Sequence, residues 1–356
     1  MANPEHITRI RQVLKQKNID AAVITKLVNV RYLTDFSGTS GALVISPRKA
    51  FFLTDFRYQK QAKKQVSGHD IKIYSGSFDS YLCSLIERLR SSTVGFEANS
   101  LPYARFKKWA SSLKAELIPL DNLVENLRLK KEKKELGKIR KAADISDRAF
   151  RHILSFIKPG VQEREIAIEL EYFMRKQGAD RYAFELIVAG GRRSALPHAT
   201  NSANKVRENA FLVLDFGAVY KGYCSDLSRT VFVGKPGEKE RKLYKAVLSA
   251  QEKAVEKVAV GQKARAIDST AREFLMEQNL GDYFGHNLGH GVGLEIHEAP
   301  VLGPKSNDVL QSGMVFTIEP GVYLPEKGGV RIEDLVALGE EGAEVLTKSS
   351  KELLTI

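Results

Sequence analysis

The sequence predicts an α/β domain followed by a larger α+β domain built from two related halves. Three observations carry that expectation. Short apolar strands alternate with amphipathic helices over the N-terminal part; a helix–glycine–helix segment then recurs at a fixed offset; and five ionisable residues sit inside apolar, glycine-punctuated strands. A length of 356 residues is enough for two domains with substantial cores, and 43% hydrophobic with 28% charged residues describes a globular chain.

In the first domain, strands are expected at Ala21–Thr25, Ala42–Ile45, Phe51–Thr54, Ile71–Tyr74 and Thr93–Phe96. Helices are expected at Pro4–Lys17, Tyr58–Val66, Phe78–Arg90 and Pro102–Ser112. Strands alternating with helices imply a mixed or parallel sheet. The basic segment after Leu120 marks the junction, and a long helix is expected from Lys131 to Ile157, stopped by Lys158-Pro159-Gly160. The expected domains are residues 1–125 and 126–356.

The second domain contains an internal repeat. Residues 149–179 parallel residues 250–280 at an offset of 101, which matches Gly160 with Gly261, Phe173 with Phe274 and Met174 with Leu275. The strands that follow repeat as well: VLDFGAVY aligns with FTIEPGVY, so Asp215 falls on Glu319 and Gly217 on Gly321, and Asp226 then corresponds to Glu333. A duplicated helix pair plus β-hairpin predicts a pseudo-twofold site with one acid pair from each half.

Asp215, Asp226, His290, Glu319 and Glu333 are the five residues in question. An isolated carboxylate in a buried strand costs far more than a fold can spare, so four of them with one imidazole require cations. Asp215 and Asp226 lie 11 residues apart across a turn at Tyr220–Tyr223, and Glu319 and Glu333 flank the loop Leu324–Gly329. Both arrangements bring a pair of acids to one face. Oxygen-dominated ligation with one nitrogen favours two Mn²⁺ or Co²⁺ ions, with Zn²⁺ or Fe²⁺ also compatible. Two ions ~3.5–4 Å apart can share a hydroxide, lower its pKa and polarise a carbonyl, so the reaction class is metal-assisted hydrolysis. Around the ligands, His198, His286 and His297 are candidates for substrate binding or proton transfer. Arg331 stands two residues before Glu333 on the same strand face, where it could orient a carboxylate or bind a peptide terminus.

Other classes fit less well. There is no His-Glu-x-x-His helix, Walker A loop or Gly-x-Ser-x-Gly elbow, and GHGVG (289–293) lacks the rest of a dinucleotide fingerprint. The net charge of +12 is densest over Arg128–Lys141, but glutamates interrupt that run and no aromatic residue interleaves it. The pattern is that of a solvated helical face and argues against nucleic acid. No apolar stretch reaches the ~18 residues of a membrane span, and the N-terminus reads as an amphipathic helix instead of a secretory signal. Two cysteines, Cys83 and Cys224, make no disulfide framework, so a cytoplasmic location is expected, with Cys224 as core filler.

The chain resembles the "pita-bread" metallopeptidases, and within them the Xaa-Pro peptidases (aminopeptidase P and prolidase). The resemblance rests on SALPH (194–198), LDFGAVYKGYCSDLSRT (214–230), GHGVGLEIHEAP (289–300), TIEPGVY (317–323) and GVRIED (329–334). LTDFSGTSG (33–41) and LTDFRYQKQA (53–62) extend it to the N-terminal, creatinase/prolidase-like domain. It implies that Asp215 binds one ion, that Asp226 and Glu333 bridge, and that His290 and Glu319 complete the shell of the second ion. Glu319 would accept the proton of the attacking hydroxide, and His198 and His297 would bind substrate and stabilise the tetrahedral intermediate. The implied enzyme is an Xaa-Pro aminopeptidase acting on short proline-containing peptides, with LTDFRY closer to aminopeptidase P; the alternative is an Xaa-Pro dipeptidase on the same scaffold. A creatinase-type hydrolase or an inactive binding protein fits the intact ligand set less well. The resemblance also implies a homodimer or tetramer and an N-terminal domain that limits the site to short peptides. Ala199-Thr200 and Asn287 depart from the glycines usual at those positions.

Overall fold

In the computed structural model, which describes residues 3–356, the chain packs as two compact units, the first ending at Arg128 and the second spanning Leu129–Ile356. The first unit runs α1 (Pro4–Gln16), β1 (Ala21–Ile24), α2 (Leu27–Thr34), β2 (Ala42–Ile45), β3 (Ala50–Asp55) and α3 (Gln59–Gln65). It continues with β4 (Asp70–Tyr74), α4 (Phe78–Leu89), β5 (Thr93–Glu97), α5 (Tyr103–Ser112), β6 (Glu116–Leu120) and α6 (Glu125–Arg128). Its six strands form one sheet in the order β4-β3-β2-β1-β5-β6, mixed as expected: β2 is antiparallel to β1 and β3, and the other pairs are parallel.

Local sequence explains most of these elements. The Asn3 side chain accepts the Glu5 amide at the start of α1, whose buried face is Ile7, Ile10 and Leu14 at helical spacing. Three elements are absent from the sequence-based expectation: α2, β6 and the short α6. Helix α2 has no side-chain cap, and strand β6 is an edge with exposed Glu116 and Pro119, so neither carries a clear signal. Helix α6 belongs to the first unit because of a buried polar knot. Asn29 donates to Glu97 (2.7 Å) and Glu125 (2.8 Å) and accepts from Arg128 (2.7 Å).

In the second unit, the first half contains α7 (Lys133–Ile153), α8 (Glu163–Lys176), β7 (Arg181–Tyr182), β8 (Ile187–Gly190), β9 (Ala210–Phe216), β10 (Ala218–Tyr220), β11 (Tyr223–Cys224) and β12 (Leu227–Val233). The second half contains α9 (Glu238–Glu256), α10 (Ala264–Glu277), β13 (Gly289–Gly291), β14 (Glu298–Leu302) and β15 (Val315–Ile318). It closes with β16 (Gly321–Leu324), β17 (Gly328–Arg331), β18 (Asp334–Gly339) and β19 (Gly342–Val345). Helix α7 is shorter than the expected 131–157, because a capping box between Glu132 and Glu135 fixes its start and it ends at Ile153. Lys131, expected on a solvated face, is instead buried beside Glu298, and Arg128 is buried in the knot with Asn29.

The duplication extends to backbone detail. Gly160 and Gly261 both take left-handed φ values, 93° and 86°, in the turns that enter α8 and α10. Gly160 N donates to Val206 O and Gly261 N to Leu310 O; the single bridges Gln162–Lys205 and Lys263–Val309 stand at the same places. Each half closes its own apolar core. Phe150, Ile166, Leu170, Leu214 and Val231 lie in one, and Val247, Ile267, Leu275, Phe316 and Val336 in the other.

One buried ion pair ties the halves together. Arg229 of β12 donates to Asp334 of β18 (2.7 Å), to the carbonyls of Ser228 and Glu333, and to Ser349 and Ser350 near the C-terminus. Asp334 also accepts from Gln251 of α9, Thr347 and Lys351. Both side chains are 1% exposed, so removing one partner strands the other without water. Arg229→Ala is expected to cost about 3–5 kcal/mol of unfolding free energy, read from urea denaturation of the metal-free protein.

Candidate metal centre

The strand pairing of each half carries two acids to one place. Asp215 in β9 lies opposite Ser228 in β12, and Asp226 precedes Ser228 by two residues, so both carboxylates leave the same face. The hairpin between them turns at Lys221 and Gly222, both at positive φ (48° and 85°), as a two-residue turn between twisted strands requires. In the second half Glu319 directly follows β15 and Glu333 directly precedes β18, where Ile318 pairs with Asp334. The Glu333 amide donates to Ser228 O (3.1 Å), which stitches the two ligand-bearing hairpins to each other.

These strands bring Asp226, His290 and Glu333 together, with one ligand atom of each within 4.8 Å of the others. His290 Nε2 stands 3.5 Å from both Asp226 Oδ2 and Glu319 Oε1. Its Nδ1 faces the Gly291 carbonyl at 3.1 Å, which favours the tautomer that leaves a lone pair on Nε2. Asp215 joins the group through its charge on Asp226, Glu319 and Glu333.

The electrostatics are those of a site that requires cations. Burial, then the charges of Glu333, Asp215 and Glu319, push the Asp226 carboxyl well above the usual carboxylate range. Glu333 is driven up in the same way, by burial and then by Glu319 and Asp215. Burial raises Glu319 to about 8. Burial lowers His290 to about 4, which keeps its imidazole neutral and able to ligate. Asp215 Oδ1, Asp226 Oδ1 and Glu333 Oε1 are buried and accept no hydrogen bond from any described residue. Orphaned buried carboxylate oxygens beside one imidazole nitrogen fit divalent ions.

Arg331, at the end of β17, is the cation that the chain itself supplies. Its Nη2 donates to Asp215 Oδ2 (2.6 Å), Nε to Ser228 Oγ (3.0 Å), and Nη1 to Tyr323 Oη (2.8 Å) and Pro197 O (3.2 Å). Of the two roles left open for Arg331, orienting a carboxylate is the one this geometry favours. His286 Nδ1 faces Asn287 O (2.8 Å) and its Nε2 the Tyr323 hydroxyl (2.9 Å), and burial lowers its pKa to about 4. His297 packs edge-on against His290, with ring centroids 4.2 Å apart, and burial lowers its pKa too. His198 is exposed and within electrostatic reach of both His286 and His297.

Three polar residues of the site are missing from the sequence-based set. Thr317 accepts the His290 amide (3.0 Å) and donates to Glu319 Oε1 (3.2 Å), Ser228 braces Arg331, and Tyr323 joins Arg331 to His286. The two-residue period places Thr317 on the face of Glu319, which is the one signal the sequence offered. Of the departures noted above, Ala199 is buried against Ile187 and Ala189. At the other, the Asn287 carbonyl receives His286.

Comparison with known proteins agrees with this geometry. The family model for "Metallopeptidase family M24" matches residues 137–340, and that for "Creatinase/Prolidase N-terminal domain" matches residues 6–130. A solved structure of an Xaa-Pro dipeptidase from Bacillus anthracis is similar at 46% identity and a TM-score of 0.97, covering 99% of each chain. An Xaa-Pro dipeptidase from Pyrococcus furiosus is 41% identical over 98% of this chain and 99% of its own. An X-Pro aminopeptidase structure from Thermotoga maritima is 37% identical with a TM-score of 0.90, covering 95% of this chain and 98% of its own.

The raised carboxyls fix a pH dependence. In metal-free protein, Asp226, Glu319 and Glu333 hold protons when folded that they release when unfolded. Their contribution to stability is therefore fully present below the ordinary carboxylate range and is lost as pH rises to about 8; His286 and His290, lowered from 6.5 to about 4, oppose that loss at the acid end, so the net fall lies between about pH 6.5 and pH 8. Bound ions reverse the sign, because they bind the ionised carboxylates and displace those protons. Thermal denaturation between these pH values is expected to show Tm falling with pH after chelation and the gap to metal-loaded protein widening.

Proposed function

The chain belongs to metallopeptidase family M24, and from that premise we propose that it is a cytoplasmic exopeptidase that hydrolyses the bond between an N-terminal residue and proline. A pair of Mn²⁺ or Co²⁺ ions is its proposed cofactor. The observation that carries this reading is the buried cluster of four carboxylates and His290, which retains orphaned oxygens on Asp215, Asp226 and Glu333. Its ligand set is complete, which favours a working peptidase over an inactive or metal-independent relative. Among the described residues no helix is long and apolar enough to cross a membrane, and both cysteines are free. A homodimer is the proposed assembly.

In this reading Asp215, Asp226, His290, Glu319 and Glu333 would hold the ions. When bound, the ions neutralise the acids, polarise the scissile carbonyl and make water a nucleophile near neutral pH. The chain's own groups do the rest. Glu319 is the least buried acid of the cluster for which exposure separates them: its side chain is 18% exposed against 13% for Asp215 and 6% for Asp226. It is the group proposed to take a proton and return it to the proline nitrogen. His297, kept neutral by burial, and His198 are the proposed donors for the oxygen that gains charge at the tetrahedral stage. Arg331 fixes Asp215 and neutralises part of the negative charge, and Tyr323 holds Arg331 and His286 in register.

Two substrate lengths remain in play, each with support. The dipeptidase relatives, at 46% and 41% identity, favour Xaa-Pro dipeptides; the X-Pro aminopeptidase neighbour, at 37%, favours longer peptides. Protein stripped of metal and reloaded with Mn²⁺ or Co²⁺ is expected to cleave Xaa-Pro faster than Xaa-Pro-Yaa. No metal-stimulated cleavage of either would refute the reading, and the reverse preference would assign the longer substrate. His297→Ala is expected to lower kcat about 10²-fold, the size of one oxyanion donor, while metal content by elemental analysis stays at the wild-type value.

A further inference from the structure

We propose that Glu163 and Arg193 are positioning residues for His198, an inference that rests on the reading of His198 as a substrate-binding group. His198 is exposed and sits in an irregular segment between β8 and β9, so its place depends on how that segment is fastened. Glu163, the first residue of α8, does the fastening with a side chain only 2% exposed. Its Oε1 accepts the Gly190 amide (2.9 Å), and both oxygens accept Arg193 Nε (3.0 and 3.2 Å). Its Oε2 also accepts Ser202 Oγ (2.6 Å). Arg193 Nη2 continues across the loop to the Thr200 carbonyl. The carboxylate therefore grips residues on both sides of His198, and the arginine spans the distance between them.

A buried charge is a costly fastener for an ordinary surface loop, because a neutral side chain could close it without that desolvation. A guanidinium that shares its Nε–H between both carboxylate oxygens and turns Nη2 to the Thr200 carbonyl instead fixes direction as well as distance. The far side of the loop meets the metal-site residues directly: Arg331 Nη1 donates to Pro197 O (3.2 Å), next to His198, and Gly329 N donates to Ser194 Oγ (2.8 Å). His198 is thus held between the Glu163 clamp and the Arg331 that orients Asp215. The other half repeats the device. Asp268 of α10 binds Arg272 and the Leu288 amide, and Arg272 donates to the carbonyls of Phe284 and His286. Each half thereby uses a buried acid on its second helix and an arginine to set a histidine loop.

The test is a double-mutant cycle on metal-loaded enzyme with an Xaa-Pro dipeptide, using Glu163→Gln, Arg193→Lys, His198→Ala and the two pairings with His198→Ala. Each clamp variant is expected to lose about 10-fold in kcat/KM in the wild-type background, less than a full misplacement of a reacting group, with unchanged metal content. In the His198→Ala background the same changes are expected to cost less than about 2-fold, since the clamp acts through the side chain already removed. Equal losses in both backgrounds, or no loss in either, would overturn the clamp. If His198→Ala alone leaves kcat/KM intact, it is the substrate-binding reading of His198 that fails, and the clamp proposal falls with it. Should Glu163→Gln not fold, Arg193→Lys, at a side chain 26% exposed, decides the question by the same comparison.

Discussion

Like charges held out of water are the constraint on which the second unit depends. Asp215, Asp226, Glu319 and Glu333 come from four strand ends, and every one of them would be easier to accommodate as an apolar residue. Arg331 offsets one charge, at Asp215, and no equivalent contact to Asp226 or Glu333 exists among the described residues. The deficit that remains is the physical content of the site. A chain that folds around such a cluster stores a strong preference for divalent cations, and the histidine facing the acids, neutral by burial, gives that preference a nitrogen ligand.

The remaining structure holds this unfavourable arrangement in place. Two helix pairs with matching glycine turns build two cores, and each core presents one β-hairpin with an acid at either end. Neither hairpin alone makes the site; they meet where Glu333 N bonds Ser228 O and where Arg229 grips Asp334. Side chains outside the acid–histidine cluster then set direction: Thr317 under His290 and Glu319, Ser228 and Tyr323 around Arg331, and Glu163 with Arg193 behind His198. The same positions that make the site reactive make the metal-free fold pH-sensitive, so stability and function are coupled through one set of carboxyls.

Much of this was legible in the sequence because burial and duplication leave local marks. Acids inside apolar strands stand out residue by residue, and Gly160 and Gly261 mark the repeat because a left-handed turn leaves little choice of side chain. Strand alternation was equally plain in the first unit, where five of six strands follow from apolar runs bounded by turns. Contacts between distant segments left no such trace. Arg331 precedes Glu333 in sequence yet binds Asp215, and Glu163 opens a helix whose capping pattern alone explains an acid there. Strand β6, a partly exposed edge, and helix α2, without a capping side chain, form because tertiary packing outweighs weak local preference.

The measurement that bears most directly on the account is metal stoichiometry by elemental analysis and calorimetric titration, in wild type and in Glu333→Gln. The proposed two-ion site predicts about two Mn²⁺ or Co²⁺ per wild-type chain and fewer, bound more weakly, when the Glu333 carboxylate becomes an amide. Wild-type protein that takes up no divalent ion, or a Glu333→Gln protein that binds as many as tightly, would contradict it.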